Sequence, residues 1–434
     1  MPKLKLHWQI LIALVLAVLI GAWAGQEGTL FGLRLYSVFD FVGSLFLNAL
    51  KMIIVPLIVS SIIVGIAGIG GGKGLARLGG KTILYYMLTS LIAILIGLFF
   101  VNLLTPGIID GQPASQVLGL SQQQADIAQE AVGERGISDI AGVFLSMVPP
   151  NIVMAAANGQ MLGLIFFSLL FGFFLARIEE DYAEAQYNFW NGMFNIMMSI
   201  TDLIMKFAPL GVFALVAKVV AGMELDKLGE LAQSLGIFSA AVLLALFTHT
   251  FVVLPLLLKF VGRVSPRNHY RAMAPAMLTA FSTASSAATL PLTMECVEKN
   301  AGVSNRTSSV VLPLGATINM DGTALYECVA AIFIAQAYGL ELSFVTQFTI
   351  VLVALLTSIG VAGIPAASLV AIAIILGTIG LPLEALGLIL AVDRILDMFR
   401  TSVNVFSDSC GAVIIARSEG EENILLDEPR QTTA

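Results

Sequence analysis

Charge is what this sequence has little of: 22 Lys and Arg and 29 Asp and Glu make up 12% of its 434 residues, where soluble domains carry about 25%. A water-soluble globule so poor in charge could not cover its surface. A hydrophobic content of 58% excludes a disordered chain, and a mean hydropathy of +0.92 points to one polytopic membrane protein. Cysteine is also scarce. Cys296, Cys328 and Cys410 lie far apart with no CxxC spacing, which excludes a disulfide-rich secreted fold and reads as single apolar core thiols. The three histidines, His7, His249 and His269, are scattered and form neither a zinc helix nor a nucleophile–base motif. The net charge of −7 comes with no basic block, so nucleic acid is not an expected partner.

The runs free of charge locate the membrane crossings, because each Asp, Lys or Arg at a helix centre costs about 2.5 to 3.5 kcal/mol on the insertion scale. Seven such runs stand out, at 6–26, 52–72, 82–109, 140–176, 231–258, 307–320 and 342–383. A further span is expected near Trp190 to Val220, where Asp202 and Lys206 at i and i+4 could pair. Lys3 and Lys5 before an apolar run resemble a signal peptide, but with so many later spans they read as a retained first helix. Basic loops at Lys73, Arg77 and Lys81, at Arg177, at Lys259 to Arg271, at Lys299 and Arg306, and at Arg417 belong to the cytoplasm by the positive-inside rule. The acidic, Gln-rich segment 110–139 suits an outside loop, and both termini then lie inside.

The second half of the chain is organised differently. Its longest uncharged run is broken at Ser358-Ile359-Gly360-Val361-Ala362-Gly363-Ile364-Pro365, a density of Gly and Pro that ends a helix. The pieces on either side are too short for comfortable spans, so a re-entrant hairpin with its tip in a cavity is expected. Arg271 to Lys299 has the same plan around Ser282 to Pro291. The first hairpin starts and ends on the basic side, the second on the opposite side. Each leads into a polar helix, Asn319 to Thr323 and Asp393 to Asp408. Opposed interrupted hairpins of this kind mark an inverted repeat with a midplane binding site.

The last of these helices is the most informative. Asp393, Asp397, Arg400, Asn404, Asp408 and Gly411 fall within a wedge of roughly 80° at about 100° per residue, with Thr401 at its edge. Facing lipid with these charges and Arg394 would cost well over 10 kcal/mol on the insertion scale, so the wedge must look into protein, water or ligand. Asp397 and Arg400 could form a buried bridge that locks two helices together. However, three Asp face one Arg in the wedge, with Asp321 and Glu327 added from the preceding helix. Some of these carboxylates must therefore be protonated or bind cations. Sodium prefers oxygen, which Asp408, Asp321, Asn319, Asn404 and freed carbonyls supply. Arg400 suits a substrate carboxylate and Asp397 an ammonium group, so an acidic amino acid carries both matching groups.

Four ordered motifs, SSAATLP at 285–291, NMDGT at 319–323, SIGVAGIP at 358–365 and DRILDMFRTSVNVFSD at 393–408, resemble the dicarboxylate/amino acid:cation symporter family, which includes prokaryotic glutamate and aspartate symporters and mammalian excitatory amino acid transporters. The likeness covers most of the chain. It implies an all-α polytopic fold of eight transmembrane helices plus two re-entrant hairpins, at 267–299 and 342–383, assembled as a homotrimer in the cell inner membrane. Residues 1–81 and 140–225 would be scaffold, 82–109 and 226–417 the transport domain, and 418–434 a cytoplasmic tail. The resemblance places substrate at Ser285, Ser286, Thr323, Ile364, Asp397, Arg400, Thr401 and Asn404. One co-transported sodium would use Gly315, Asn319, Asn404 and Asp408. A second would use Thr317 with the backbone from Ser358 to Val361, and a third Tyr86, Thr89, Ser90, Asn319 and Asp321. Glu327 resembles a proton carrier, a role that burial of a carboxyl favours. Ala284 and Met398 stand where relatives carry arginines, which leaves potassium counter-transport outside what the resemblance implies.

The resulting expectation is secondary active symport of glutamate or aspartate with sodium and protons. Proton-coupled transport of C4-dicarboxylates is the alternative within the fold, against which Asp397 argues for want of an ammonium partner. An intramembrane acid–base enzyme would leave the hairpins unexplained, and in a channel one Arg among several Asp would trap ions.

Overall fold

The computed structural model describes residues 6–68, 73–117, 145, 147–158, 160–222, 227–340, 342–358, 367–381 and 383–425. They are overwhelmingly helical. Short strands Thr29–Leu30 with Leu33–Arg34, and Ile108–Ile109 with Gln112–Pro113, form two antiparallel turns at helix ends. The principal helices are α1 Leu6–Ala24, α2 Leu35–Ala67, α3 Lys73–Leu104, α4 Met161–Leu175, α5 Glu180–Lys206, α6 Ala208–Gly222 and α7 Leu228–Phe260. The second half adds α8 Pro266–Thr283, α9 Ser286–Glu295, α10 Asn305–Ile318, α11 Asp321–Ala337, α12 Phe344–Ser358, α13 Ala367–Ile379 and α14 Leu386–Ser418.

Among the described residues, four segments are long and apolar enough to cross a bilayer: α2, α3 from Arg77, α7, and α10 with α11 as Asn305–Ala337. The α5–α6 pair makes a fifth but is bent by 55°. The span expected from Trp190 to Val220 is therefore two helices meeting at Phe207, and Asp202 and Lys206 both stay exposed with no ion pair between them. The run at 52–72 is likewise only the second half of α2. The first half tolerates Asp40 because Lys218 of α6 donates to its carboxylate at 2.6 Å. Helix α14, 33 residues long, would extend about 50 Å at 1.5 Å per residue, ample for a ~30 Å hydrocarbon core; only its charges keep it from reading as a span.

Helices α1, α2, α4, α5 and α6 pack on one another, α1 along α6 and α2 against α4, α5 and α6. Close approach is built in at Gly211, where a Cβ would lie 2.2 Å from the Phe46 ring. The remaining helices surround α11. All 17 of its residues are buried, so its polar groups meet protein on every side and none meets lipid. Helices α3, α7, α12, α13 and α14 pack around it, and α8 and α10 pack along α14. The first hairpin forms as expected. Helix α8 ends at Ala284, held in the left-handed region at φ 50°, and Ser285 then caps α9 by accepting from the Ala288 N–H at 3.2 Å. The arms of the second, α12 and α13, pack together; its tip at 359–366, with Val361 and Ile364, lies outside the described residues.

Candidate functional site

The site begins where the chain stops being helical. Between α10 and α11, Asn319 (φ −97°, ψ 87°) and Met320 (φ −115°, ψ 56°) leave the helix, so the NMDGT motif begins with a break and its Asp321, Gly322 and Thr323 form the first turn of α11. The break presents Asn319 and Asp321, both fully buried, to α3 and α14. Asn319 donates from Nδ2 to Asp408 at 2.9 Å and to Ser407 at 3.1 Å, and its carbonyl receives Thr89 at 3.4 Å. Asp321 receives Ser90 at 2.7 Å, Ser407 at 2.6 Å and His249 Nε2 at 2.9 Å. A Cβ on Gly315 would lie 2.5 Å from an Asp408 carboxylate oxygen and 2.7 Å from the Tyr86 hydroxyl, so only glycine leaves these oxygens room. Among the described residues neither Asp321 nor Asp408 meets an arginine or lysine, and no three His, Cys, Asp or Glu cluster to hold a metal ion. Two carboxylates among hydroxyl and amide oxygens form a donor set suited to a hard monovalent cation.

Further along α14 lies a second group of charges with a different balance. Arg400, 1% exposed, donates to Asp397 at 2.9 Å and to Asp393 at 3.0 Å, and its guanidinium lies 4.2 Å over the Tyr326 ring. Arg394 takes the other Asp397 oxygen at 3.0 Å. The Asp397–Arg400 bridge therefore exists, but within one helix, so it does not lock two together. Between these groups, Asn404 accepts from the Gly322 N–H at 2.8 Å and donates to Thr323 at 3.0 Å, while Thr401 donates to the Asp397 carbonyl. Ser286 is buried at the start of α9, which packs on α14. Glu327, fully buried on α11, accepts from Thr357 of α12 at 3.1 Å, and its other oxygen has no partner.

Two described residues of the expected set, Thr317 and Ser358, stay apart. The Thr317 hydroxyl turns back to its own helix at Pro313 and Leu314, and the residue lines a cavity of about 320 Å³ between α10, α2 and α5. Ser358 likewise donates to Leu355. Sequence reasoning missed His249, Ser407, Thr357 and Tyr326. Ser407 was within reach, lying about 20° beyond the wedge at 100° per residue; the other three contact the site only through tertiary packing.

The sequence as a whole has known relatives. The profile of the sodium:dicarboxylate symporter family matches residues 6–418. The chain belongs to that family. It is 37% identical to the proton/glutamate-aspartate symporter of Escherichia coli (strain K12), over 96% of this chain and 93% of that one. It is 37% identical to the proton/sodium-glutamate symport protein of Geobacillus stearothermophilus, over 98% and 96%. It is also 35% identical to the human excitatory amino acid transporter 3, over 98% and 88%. The family consists of transporters, not enzymes, and this member is a membrane protein.

Proposed function

We propose that the chain is a secondary active symporter that carries glutamate or aspartate with sodium and protons. The observation carrying this reading is the pairing of Arg400 with Asp397 and Asp393 on the same buried helix face as Asp408, whose carboxylate cluster meets no arginine or lysine among the described residues. Arg400 offers a planar fork to the side-chain carboxylate of the substrate, and Asp397 meets its ammonium group. These protein groups satisfy one another in the structure, so binding is an exchange of partners. The cavity bordered by Asp393, Arg394 and Asp397 measures about 20 Å³, room for about one water, and substrate entry requires the side chains to part. Ser285, Ser286, Thr323, Thr401, Asn404 and, at the outer tip, Ile364 complete the proposed site.

Sodium would bind at Asp408 with Gly315, Asn319 and Asn404, and at Asp321 with Tyr86, Thr89, Ser90 and Asn319. Thr317 with the tip from Ser358 to Val361 would form a third site once the outer hairpin closes. A net anion approaching these carboxylates is repelled until cations arrive, so ion and substrate tighten each other by linkage. Glu327 is the proposed proton carrier, and its contact with Thr357 ties it to the outer hairpin.

The packing supports a division into scaffold, α1, α2 and α4 to α6, and transport domain, α3 and α7 to α14. We place the domain boundary ahead of α3, since Arg77 and Lys81 at its start hold Glu419 of the tail. The proposed assembly is a homotrimer in the inner membrane with both termini cytoplasmic, working by an elevator movement of the transport domain. One observation favours C4-dicarboxylate transport instead: both Asp397 oxygens already have arginine partners, so no ammonium group is needed to satisfy them. Uptake of labelled glutamate, aspartate and succinate into proteoliposomes under imposed sodium or proton gradients separates the readings. Absence of gradient-driven accumulation of all three refutes symport.

A further inference from the structure

We propose that His249 is a positioning residue for the cation site at Asp321, a role that rests on the symport reading above. His249 is fully buried and opens a five-residue π-turn, His249–Val253, inside the otherwise continuous helix α7. Such a turn inserts one residue and rotates the helix face, and π-turns recur at functional sites. It is pinned in place by the Tyr270 hydroxyl of the first hairpin, which donates to the Thr250 carbonyl.

The turn sets His249 Nε2 2.9 Å from Asp321 Oδ2, while Nδ1 has no partner. A carboxylate oxygen can only accept, so the ring carries an N–H on Nε2 and donates it there. Oδ2 thus receives two donors, His249 and Ser407, and Oδ1 receives only Ser90. A serine hydroxyl can rotate to present its lone pairs to a cation, whereas the imidazole N–H can only donate. His249 therefore fixes which carboxylate oxygen turns toward the ion and leaves Oδ1 facing Ser90. Partners that orient a metal-ligating group in this way typically account for 10- to 100-fold in affinity.

The test compares wild type, His249→Leu and His249→Gln, the last retaining an N–H donor of similar reach. Two readouts are the half-saturating sodium concentration for glutamate uptake in proteoliposomes at fixed pH, and the rise in melting temperature of purified protein on adding sodium without substrate. His249→Leu is expected to raise the half-saturating sodium concentration about tenfold or more. Its Km for glutamate at saturating sodium stays within about twofold. His249→Gln is expected to restore sodium affinity to within about threefold of wild type. Sodium curves of His249→Leu that overlay the wild type overturn the inference. So does His249→Gln behaving like His249→Leu, and this arm decides the matter if His249→Leu does not fold. A wild type without sodium dependence in either readout overturns the sodium coupling proposed above and this inference with it.

Discussion

The two buried charge clusters on α14 are opposites in their bookkeeping. In one, Asp393 and Asp397 are matched by Arg394 and Arg400. In the other, Asp321 and Asp408 have only neutral or histidine partners: Asn319, Ser90, Ser407 and His249. A matched cluster is already compensated, and it can change occupants only by exchanging one ion pair for another, which suits a substrate carrying both signs. A cluster with carboxylates and no basic side chain remains short of positive charge, and burial makes that shortage expensive. It gains most from an ion supplied from outside. On the reading proposed above, α14 carries Arg400 and Asp397 for an organic ligand and contributes Asp408 to a cation site otherwise built from α3, α7 and the break between α10 and α11.

The largest effect is expected where the matched cluster is broken. Arg400→Ala leaves two acids against Arg394, and removing one partner of a buried pair costs about 3 to 5 kcal/mol, so we expect at least about a 100-fold loss of glutamate uptake (about 1.4 kcal/mol per tenfold). Uptake at wild-type rate and affinity would show that the cluster is structural and that substrate binds elsewhere. Gly315→Ala breaks the other cluster. Its Cβ would stand 2.5 Å from an Asp408 oxygen, and we expect half-saturating sodium to rise tenfold or more, on the order of losses for misplaced metal ligands. The Km for glutamate at saturating sodium should change far less; if both constants rise together, the clusters are not separable.

Much of this was legible before the fold. The wedge on α14, the first hairpin and the polar motif at 319–323 follow from local spacing, because a charge in an apolar chain carries information that one in a soluble protein does not. What local spacing could not carry was partnership across the chain. Asp40 breaks the apolar run of α2, yet it is accommodated by Lys218, 178 residues away. The bend at Phe207 comes just before Pro209, the second residue of α6 and a helix-start signal, which a search for charge-free runs passes over. The π-turn that brings His249 to Asp321 shifts the helix phase, and nothing in the order of residues there marks it. Arg394 sits outside the wedge but is long enough to reach back to Asp397, which is why the balance of the matched cluster looked more acidic than it is.

Glu327 belongs to neither cluster, and its replacement by Gln tests whether a fifth buried carboxylate is needed. The amide keeps the volume and can still accept from Thr357. Uptake is expected to keep its sodium dependence and lose its stimulation by an inward acid gradient, a several-fold effect measured as lumen acidification during transport. A Glu327→Gln protein that still acidifies the lumen moves the proton to another residue, and the two clusters become the candidates.

The smallest effect is expected at a third charge group, at the end of α14, where one acid meets two bases that are open to water. Glu419 receives Lys81 at 2.5 Å and also Arg77, tying the end of α14 to the start of α3. These donors, Lys81 first, pull its carboxyl below its ordinary value of 4.5. A lowered folded-state pKa means stability present above about pH 4.5 and lost as pH falls through the lowered value. Solvent-exposed pairs contribute about 0.2 to 1 kcal/mol, so Glu419→Gln should lower the melting temperature at pH 7 by no more than about 2 °C, with the gap to wild type closing as pH falls through that lowered value. The Arg400 and Glu419 groups have the same signs and similar distances, so a large loss from Glu419→Gln would mean that pairing, and not burial, sets the consequence of removing a partner. The small loss expected here assigns the cost at Arg400 to its removal from water.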